Sequence, residues 1–275
     1  MTYIDLSNAP YFKDRKARTT MTTEYKKQAK QLTDWLFDEL IPDGTVDIEG
    51  YGDSKVDLSS GFKFMIAGGA PLSVFTKTEV NDYDLYFFTK KDHDIFVRNV
   101  CKDRATILQE SKRATTWNRS GVTFQTIKLF GTPEEIFQMF DYTVCMVAAV
   151  VSLDAEDASK DKVEFVFHER FWQDVASRSL IFNPKTAYPI NSLFRVQKYK
   201  EKGFKINTVE LLKLGFAISN LNIKTIDDIK NQICGVSSEV CEKILEKLEK
   251  QTVPEGFAIN NASEYLQKLL EDIEE

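Results

Sequence analysis

The chain has 275 residues, 43% hydrophobic and 28% charged, with 20 Phe and 10 Tyr, enough apolar material for a sizeable core and too much for a mostly disordered chain. Its net charge of −6 and its four scattered cysteines (Cys101, Cys145, Cys234, Cys241) exclude a dedicated duplex-DNA binder and a CxxC metal or redox pair. No apolar run approaches the ~18 residues of a membrane span, and the first 30 residues are polar and basic, so the expectation is a soluble protein of a reducing cytoplasm.

In chain order, Tyr25, Ala29, Leu32, Leu36 and Leu40 recur at helical spacing and predict an amphipathic helix over 22–40, stopped by Pro42 and Gly44. Residues 62–67 (FKFMIA) predict a strand ending at Gly68-Gly69, followed by a short helix from Ala70 to about Phe75. Residues 83–88 fit a second strand, 92–100 a helix, and 121–130 a third strand. Thr132-Pro133-Glu134-Glu135 is a helix start, with a hydroxyl cap, proline at the first position and acids in the first turn. Residues 142–151, apolar all round, predict a buried helix, and 163–167 a last strand. From Pro184 onward strand signals vanish, and helices are predicted over 190–202, 207–219, 225–233, 237–251 and 261–273. The fold class is α+β (mixed α/β): a catalytic head with a small mixed sheet flanked by helices over 1–182, then a helical neck and tail over 183–275. The tail is acidic, with 14 acids against 9 bases over residues 201–275.

The stretch that carries chemistry is Met65–Phe88. Two glycines after a strand let the backbone turn sharply and let a ligand approach. The helix behind them offers free N–H groups and a positive dipole end to a phosphate, with Ser73 able to add a hydroxyl. Thirteen positions after Gly69, Asp82 and Asp84 flank Tyr83 on a strand, so their carboxylates share one face with Cα atoms ~6.6 Å apart, while Tyr83 points to the other. Two carboxylates so placed can hold Mg²⁺ or Mn²⁺ shared with substrate phosphates.

This run resembles the active-site signature of the DNA polymerase β-type nucleotidyltransferase superfamily, a glycine pair on a helical turn followed by an aspartate pair on a strand. It is most similar to the branch of CCA-adding tRNA nucleotidyltransferases and bacterial poly(A) polymerases, of which phages also encode small versions. GTPEEIFQMFDYTVCMVAAV resembles the segment leading into that family's Arg-Asp-Phe-Thr helix, with Asp141 and Thr143 at matching positions, KVEFVF its next strand, and PINSLFRVQKYKEKGF its neck helix. The resemblance covers about residues 62–204. It implies an enzyme that attaches a nucleoside monophosphate from a nucleoside triphosphate to an acceptor hydroxyl, an RNA 3′ end such as that of tRNA, in the cytoplasm (the host's, if phage-encoded). Asp82 and Asp84 would be catalytic and metal-binding, and Gly68, Gly69, Ser73, Lys128, Arg195 and Lys198 nucleotide-binding.

Three departures stand beside the likeness. Leu72-Ser73 occupies the place of an Arg-Asp pair, Phe140 that of an arginine, and Tyr188–Ser192 lacks the acids and arginine of the neck's nucleotide-selecting Glu-Asp-x-x-Arg. The neighbouring strand offers Gln125 and Lys128 where many members have a third carboxylate. Asp82 and Asp84 then suffice with water and phosphates, a distant acid such as Asp141 or Glu164 contributes, or the copy is inactive. The same chemistry on a small-molecule or protein hydroxyl, and a non-catalytic nucleotide- or RNA-binding module, remain the alternatives. Elsewhere the residues favour structural roles: Asp141 as a helix cap over a nucleotide contact, His93 exposed, His168 outside catalysis, Trp117 as a loop anchor over a base-stacking platform, and the cysteines as neutral fillers. Lys128, Arg195 and Lys198 can meet phosphate or solvent.

Overall fold

The computed structural model describes residues 62–250 except 79, 81, 103–104, 120, 154–161 and 234–238; the helices expected over 22–40 and 261–273 lie outside the described residues. The chain divides into two compact units, Met1–Ser177 and Arg178–Glu275. No helix among the described residues is long and apolar enough to cross a membrane.

Unit one is built on a seven-stranded sheet of order β3-β4-β5-β2-β1-β6-β7. Its strands are β1 (Phe62–Ala67), β2 (Tyr83–Phe87), β3 (Thr106–Glu110), β4 (Ala114–Arg119), β5 (Val122–Phe130), β6 (Val147–Leu153) and β7 (Lys162–Phe167). Only β2 and β5 run parallel; every other neighbouring pair is antiparallel, so the sheet is mixed and the fold is α+β. Helices α1 (Gly69–Thr76), α2 (Lys90–Phe96), α3 (Pro133–Phe137) and α4 (Phe171–Ala176) connect and flank the strands. α2 runs on into a π-turn at Val97–Cys101.

Period-two alternation divides the sheet's side chains between two cores. Phe62, Phe64 and Ile66 of β1 join Leu85 and Phe87 of β2, Phe124 of β5, and Ile95 and Phe96 of α2 on one face. Met65, Ala67 and Tyr86 join Ile136, Phe137, Met146 and Ala148 on the other. Capping boxes start α2 and α3: Thr89 pairs with Asp92, and Thr132 with Glu135, each hydroxyl and carboxylate taking the other's backbone N–H.

The predicted helix over 142–151 is instead a short 3₁₀ turn, Thr143–Cys145, followed by strand β6. β6 pairs with β1 and β7 and is covered on both faces, so its inner residues are apolar on both, and a strand buried that way has no alternation to distinguish it from a buried helix. β3 and β4 were not predicted, their Thr- and charge-rich sequences lacking an apolar period. Trp117, expected in a loop, lies on β4 in the core, its indole N–H donating to Thr126 Oγ1 at 3.0 Å. His93, expected at the surface, is buried between Phe87 and Phe130 with Nδ1 3.0 Å from Asp94.

Unit two holds α5 (Pro189–Glu201), α6 (Thr208–Ser219), α7 (Ile226–Ile233) and α8 (Glu239–Lys250). Ile226, Ile229 and Ile233 of α7 pack with Ile244 and Leu248 of α8 and with Ile190 and Phe194 of α5. Before α5, the backbone of Arg178–Leu180 pairs with Lys205, and buried Glu210 accepts the Phe182 N–H at 2.8 Å.

Candidate active site

β1 delivers the chain to Gly68, whose N–H donates to Val147 of β6 at 3.1 Å and whose carbonyl accepts from Leu72 at 3.2 Å. Gly68 has φ +84° and ψ −123°, a conformation that a side chain makes costly. α1 begins at Gly69. In its first turn Pro71 has no N–H, and Leu72 is taken by Gly68, which leaves the N–H groups of Gly69 and Ala70 at the dipole's positive end. Gly69 has no atom within 4 Å of where a Cβ would be.

Asp84 lies opposite Ala67 of β1 and Gln125 of β5. Its carboxylate reaches the turn: a Cβ on Gly68 would be 4.0 Å from Asp84 Oδ2 and 3.8 Å from the Phe140 ring. Asp82 immediately precedes β2, half-buried like Asp84. Tyr83 packs against the core of Leu85 and Phe87, and burial raises its hydroxyl pKa. The glycine turn, the helix start and Asp84 therefore meet at one place.

Ser73 and Lys128, also in unit one, fall elsewhere. Ser73 is five residues into α1 and buried. Lys128 is on the face opposite Asp84, since Gln125, Ile127 and Leu129 alternate with it, and its ammonium binds Glu110 Oε1 at 3.0 Å and the Ser111 carbonyl at 2.9 Å. Arg195 and Lys198 lie on α5 in unit two; Arg195 stacks on Tyr199 at 5.6 Å and donates to its hydroxyl at 2.8 Å, while Lys198 is exposed. Asp141 is buried, and the helix it was expected to cap is absent. His168 Nδ1 accepts the Arg170 N–H at 3.2 Å. Burial drives the Cys101 thiol far above its ordinary pKa, which leaves it inert.

Sequence reasoning missed a network centred on the buried carboxylate of Asp174. Thr143 donates to Asp174 Oδ2 at 2.6 Å, and Arg170 holds both oxygens of Asp174 at 3.2 and 2.9 Å. The Arg170/Asp174 spacing of four was its only local signal. Phe140, in the place of an arginine, stacks near Tyr86 and Phe137, each 5.9 Å between centroids.

For a hard cation the donors are all oxygen: the carboxylates of Asp82 and Asp84, with the Gln125 amide beside Asp84. Among the described residues no group of three or more His, Cys, Asp or Glu is gathered. Two carboxylates with substrate phosphates and water fit Mg²⁺, which rarely takes an all-protein cage.

These features define an α+β chain whose strand–glycine–helix turn faces a carboxylate on the next strand. The chain belongs to the Gabija anti-defense 2 family, which residues 23–178 match. A relative named Gabija anti-defense 2, from Bacillus phage SPbetaL7, is 33% identical over 197 residues; the match covers 71% of this chain and 47% of that one, so the chain spans about half the relative's length. Among solved structures, the Thermotoga maritima CCA-adding enzyme complexed with tRNA is similar over 68% of this chain and 47% of its own, with a TM-score of 0.45 and 10% identity. A tRNA-processing enzyme with CTP is similar over 76% and 58%, with a TM-score of 0.43 and 16% identity.

Proposed function

We propose that this chain is a metal-dependent nucleotidyltransferase that moves a nucleoside monophosphate from a nucleoside triphosphate onto the 3′ hydroxyl of a tRNA-like RNA, and that it acts in the host cytoplasm against a Gabija defence. The observation that carries the chemistry is the approach of Asp84 to Gly68 at the start of α1. The family membership supports the biological role.

The N–H groups of Gly69 and Ala70 bind triphosphate oxygens, and the open space at Gly69 lets the phosphates reach the backbone. Asp82 and Asp84 hold the metal and orient the acceptor. The acceptor hydroxyl gives up its proton to solvent water as its oxygen bonds to the α-phosphorus, the bond from that phosphorus to the bridging oxygen breaks, and pyrophosphate leaves. When bound, the metal neutralises charge on the leaving phosphates and eases deprotonation of the attacking hydroxyl. Exposed Lys198 on α5 is suited to an RNA phosphate.

The test is to incubate the protein with each labelled triphosphate, Mg²⁺ or Mn²⁺, and total host RNA. Metal-dependent label in RNA, absent when Asp82 and Asp84 are replaced, is the expected result. A second reading, transfer to a protein or small-molecule hydroxyl, is favoured by the acidic 201–275 segment; label in the protein or small-molecule fraction would establish it. No transfer and no nucleotide binding would leave a degenerate module.

A further inference from the structure

Among the described residues β3 ends the sheet and pairs only with β4, so part of its backbone N–H and C=O groups point away from any described strand, and all five of its residues are exposed. Edge strands are commonly guarded by lysine or proline. This one reads Thr-Ile-Leu-Gln-Glu, and its two large apolar side chains, Ile107 and Leu108, are 51% and 58% exposed. The register shift between Ile107 and Gln109 gives Leu108 no partner on β4 and leaves paired residues on either side of it.

Alongside β3 lies a cavity of about 410 Å³ with an apolar wall of Val97, Ala105, Ile107 and Trp117. The π-turn forms its other side: the Lys102 N–H bonds to the Val97 carbonyl at 2.9 Å, five residues back, and Arg98 and Lys102 line the cavity. Among the described residues that line it, the acid is Asp94, which binds Lys90 and His93. The groove is thus a strand edge, an apolar hole and a cationic rim, on the face of the sheet opposite Asp84.

We propose that this groove docks an extended segment of a partner protein. The segment adds to β3 as a further strand, places an aromatic or long aliphatic side chain in the cavity, and sets an Asp or Glu against exposed Lys102. Only a peptide backbone satisfies a strand edge, and only an anion suits the rim. A second copy of this chain fits less well: the strand it would bring is β3 itself, whose one acid, Glu110, is held by Lys128 at 3.0 Å.

The test is selection of random nine-residue peptides displayed against the full chain, followed by amide hydrogen exchange with an enriched synthetic peptide. Enriched sequences should carry an acid within a few residues of an aromatic or aliphatic anchor and slow exchange at 105–110. Affinity should fall about tenfold or more in Lys102→Glu and in Ile107→Lys, whose exposed sites leave the thermal transition unchanged, and should persist in the Asp82→Ala/Asp84→Ala variant. No enrichment, enrichment without acids, binding that survives both groove variants, or protection elsewhere would overturn the proposal. So would slowed exchange, in the peptide-free chain, at those β3 amides that do not bond to β4, which would mean that another segment of this chain, or a second copy, already fills the edge.

Discussion

Asp84 and Gly68 are 16 residues apart in the chain, yet the Asp84 carboxylate stands 4.0 Å from where a Gly68 side chain would begin. The β1–β2 register produces this: Ala67 pairs with Asp84, so the next residue of β1's path, Gly68, turns directly over the carboxylate.

Replacing both Asp82 and Asp84 with Ala should abolish nucleotidyl transfer and leave the fold intact. Two like charges on one face repel when no metal is bound, so the thermal transition should stay level or rise. Residual transfer near the wild-type rate, or a collapsed transition, would refute the metal-ligand assignment.

The two glycines should separate stability from activity. At Gly68 an alanine Cβ meets only ordinary contacts, the Phe140 ring at 3.8 Å and Asp84 at 4.0 Å, but φ of +84° strains the backbone. Gly68→Ala should therefore cost about 1–3 kcal/mol in urea unfolding. Gly69→Ala enters open space at an unstrained helix start and should leave stability within about 0.5 kcal/mol. It should still reduce transfer, because the methyl stands where phosphate would approach; equal activity would remove Gly69 from the triphosphate site.

How far these features could be read in advance follows from the physics of each element. The glycine turn and β2 were legible because glycine and alternating aromatics have few other uses at that spacing. β6 was not, since a strand covered on both faces loses its period. Lys128 looked like a phosphate ligand until β3, itself unpredicted, supplied Glu110 and the Ser111 carbonyl. Such tertiary partners leave no local trace. The same holds for the link from Thr143 to Asp174, 31 residues on.

That link should be a stability element. Thr143→Val removes the 2.6 Å hydrogen bond to a carboxylate that is 1% exposed, while Arg170 keeps its own contacts. A loss of about 1.5–3 kcal/mol in urea unfolding is expected, as for a hydrogen bond to a charged group. A change below about 0.5 kcal/mol would show that the Arg170 pair alone satisfies Asp174.

Asp228 sets a pH dependence in unit two. Its carboxylate accepts the backbone N–H groups of Lys224 and Thr225, each at 2.9 Å, while its own N–H donates to the Thr225 hydroxyl. The Lys224 backbone bond, then the Thr225 contacts, hold its pKa below the ordinary carboxylate value. A depressed carboxylate stabilises the fold above its unfolded pKa of ~3.9, and that contribution disappears as pH falls through the lower folded value. Asp228→Ala should therefore lower the thermal transition near pH 6 and converge on wild type as pH falls below about 4. A constant difference across that range would mean that ionisation is not involved.

Nucleotide choice is the sharpest test of what the α5 start can do. In the resembling family the neck reads the base with two acids and an arginine; here the corresponding stretch, Tyr188–Ser192, builds the helix instead. Ser192 is buried with its hydroxyl donating to the Tyr188 carbonyl at 3.1 Å, and Pro189 is buried at the first turn. No side chain of this stretch supplies the matching acids and arginine. A site with hydrogen-bonding partners for a substrate can discriminate by about 10⁴–10⁵, whereas an apolar slot achieves about 10–200-fold. Single-turnover rates with ATP, CTP, GTP and UTP on a tRNA lacking its terminal CCA should thus show one modestly preferred nucleotide and no switch from C to A. Ordered addition of C, C and A would place base reading in another part of the chain and break the correspondence with the neck helix.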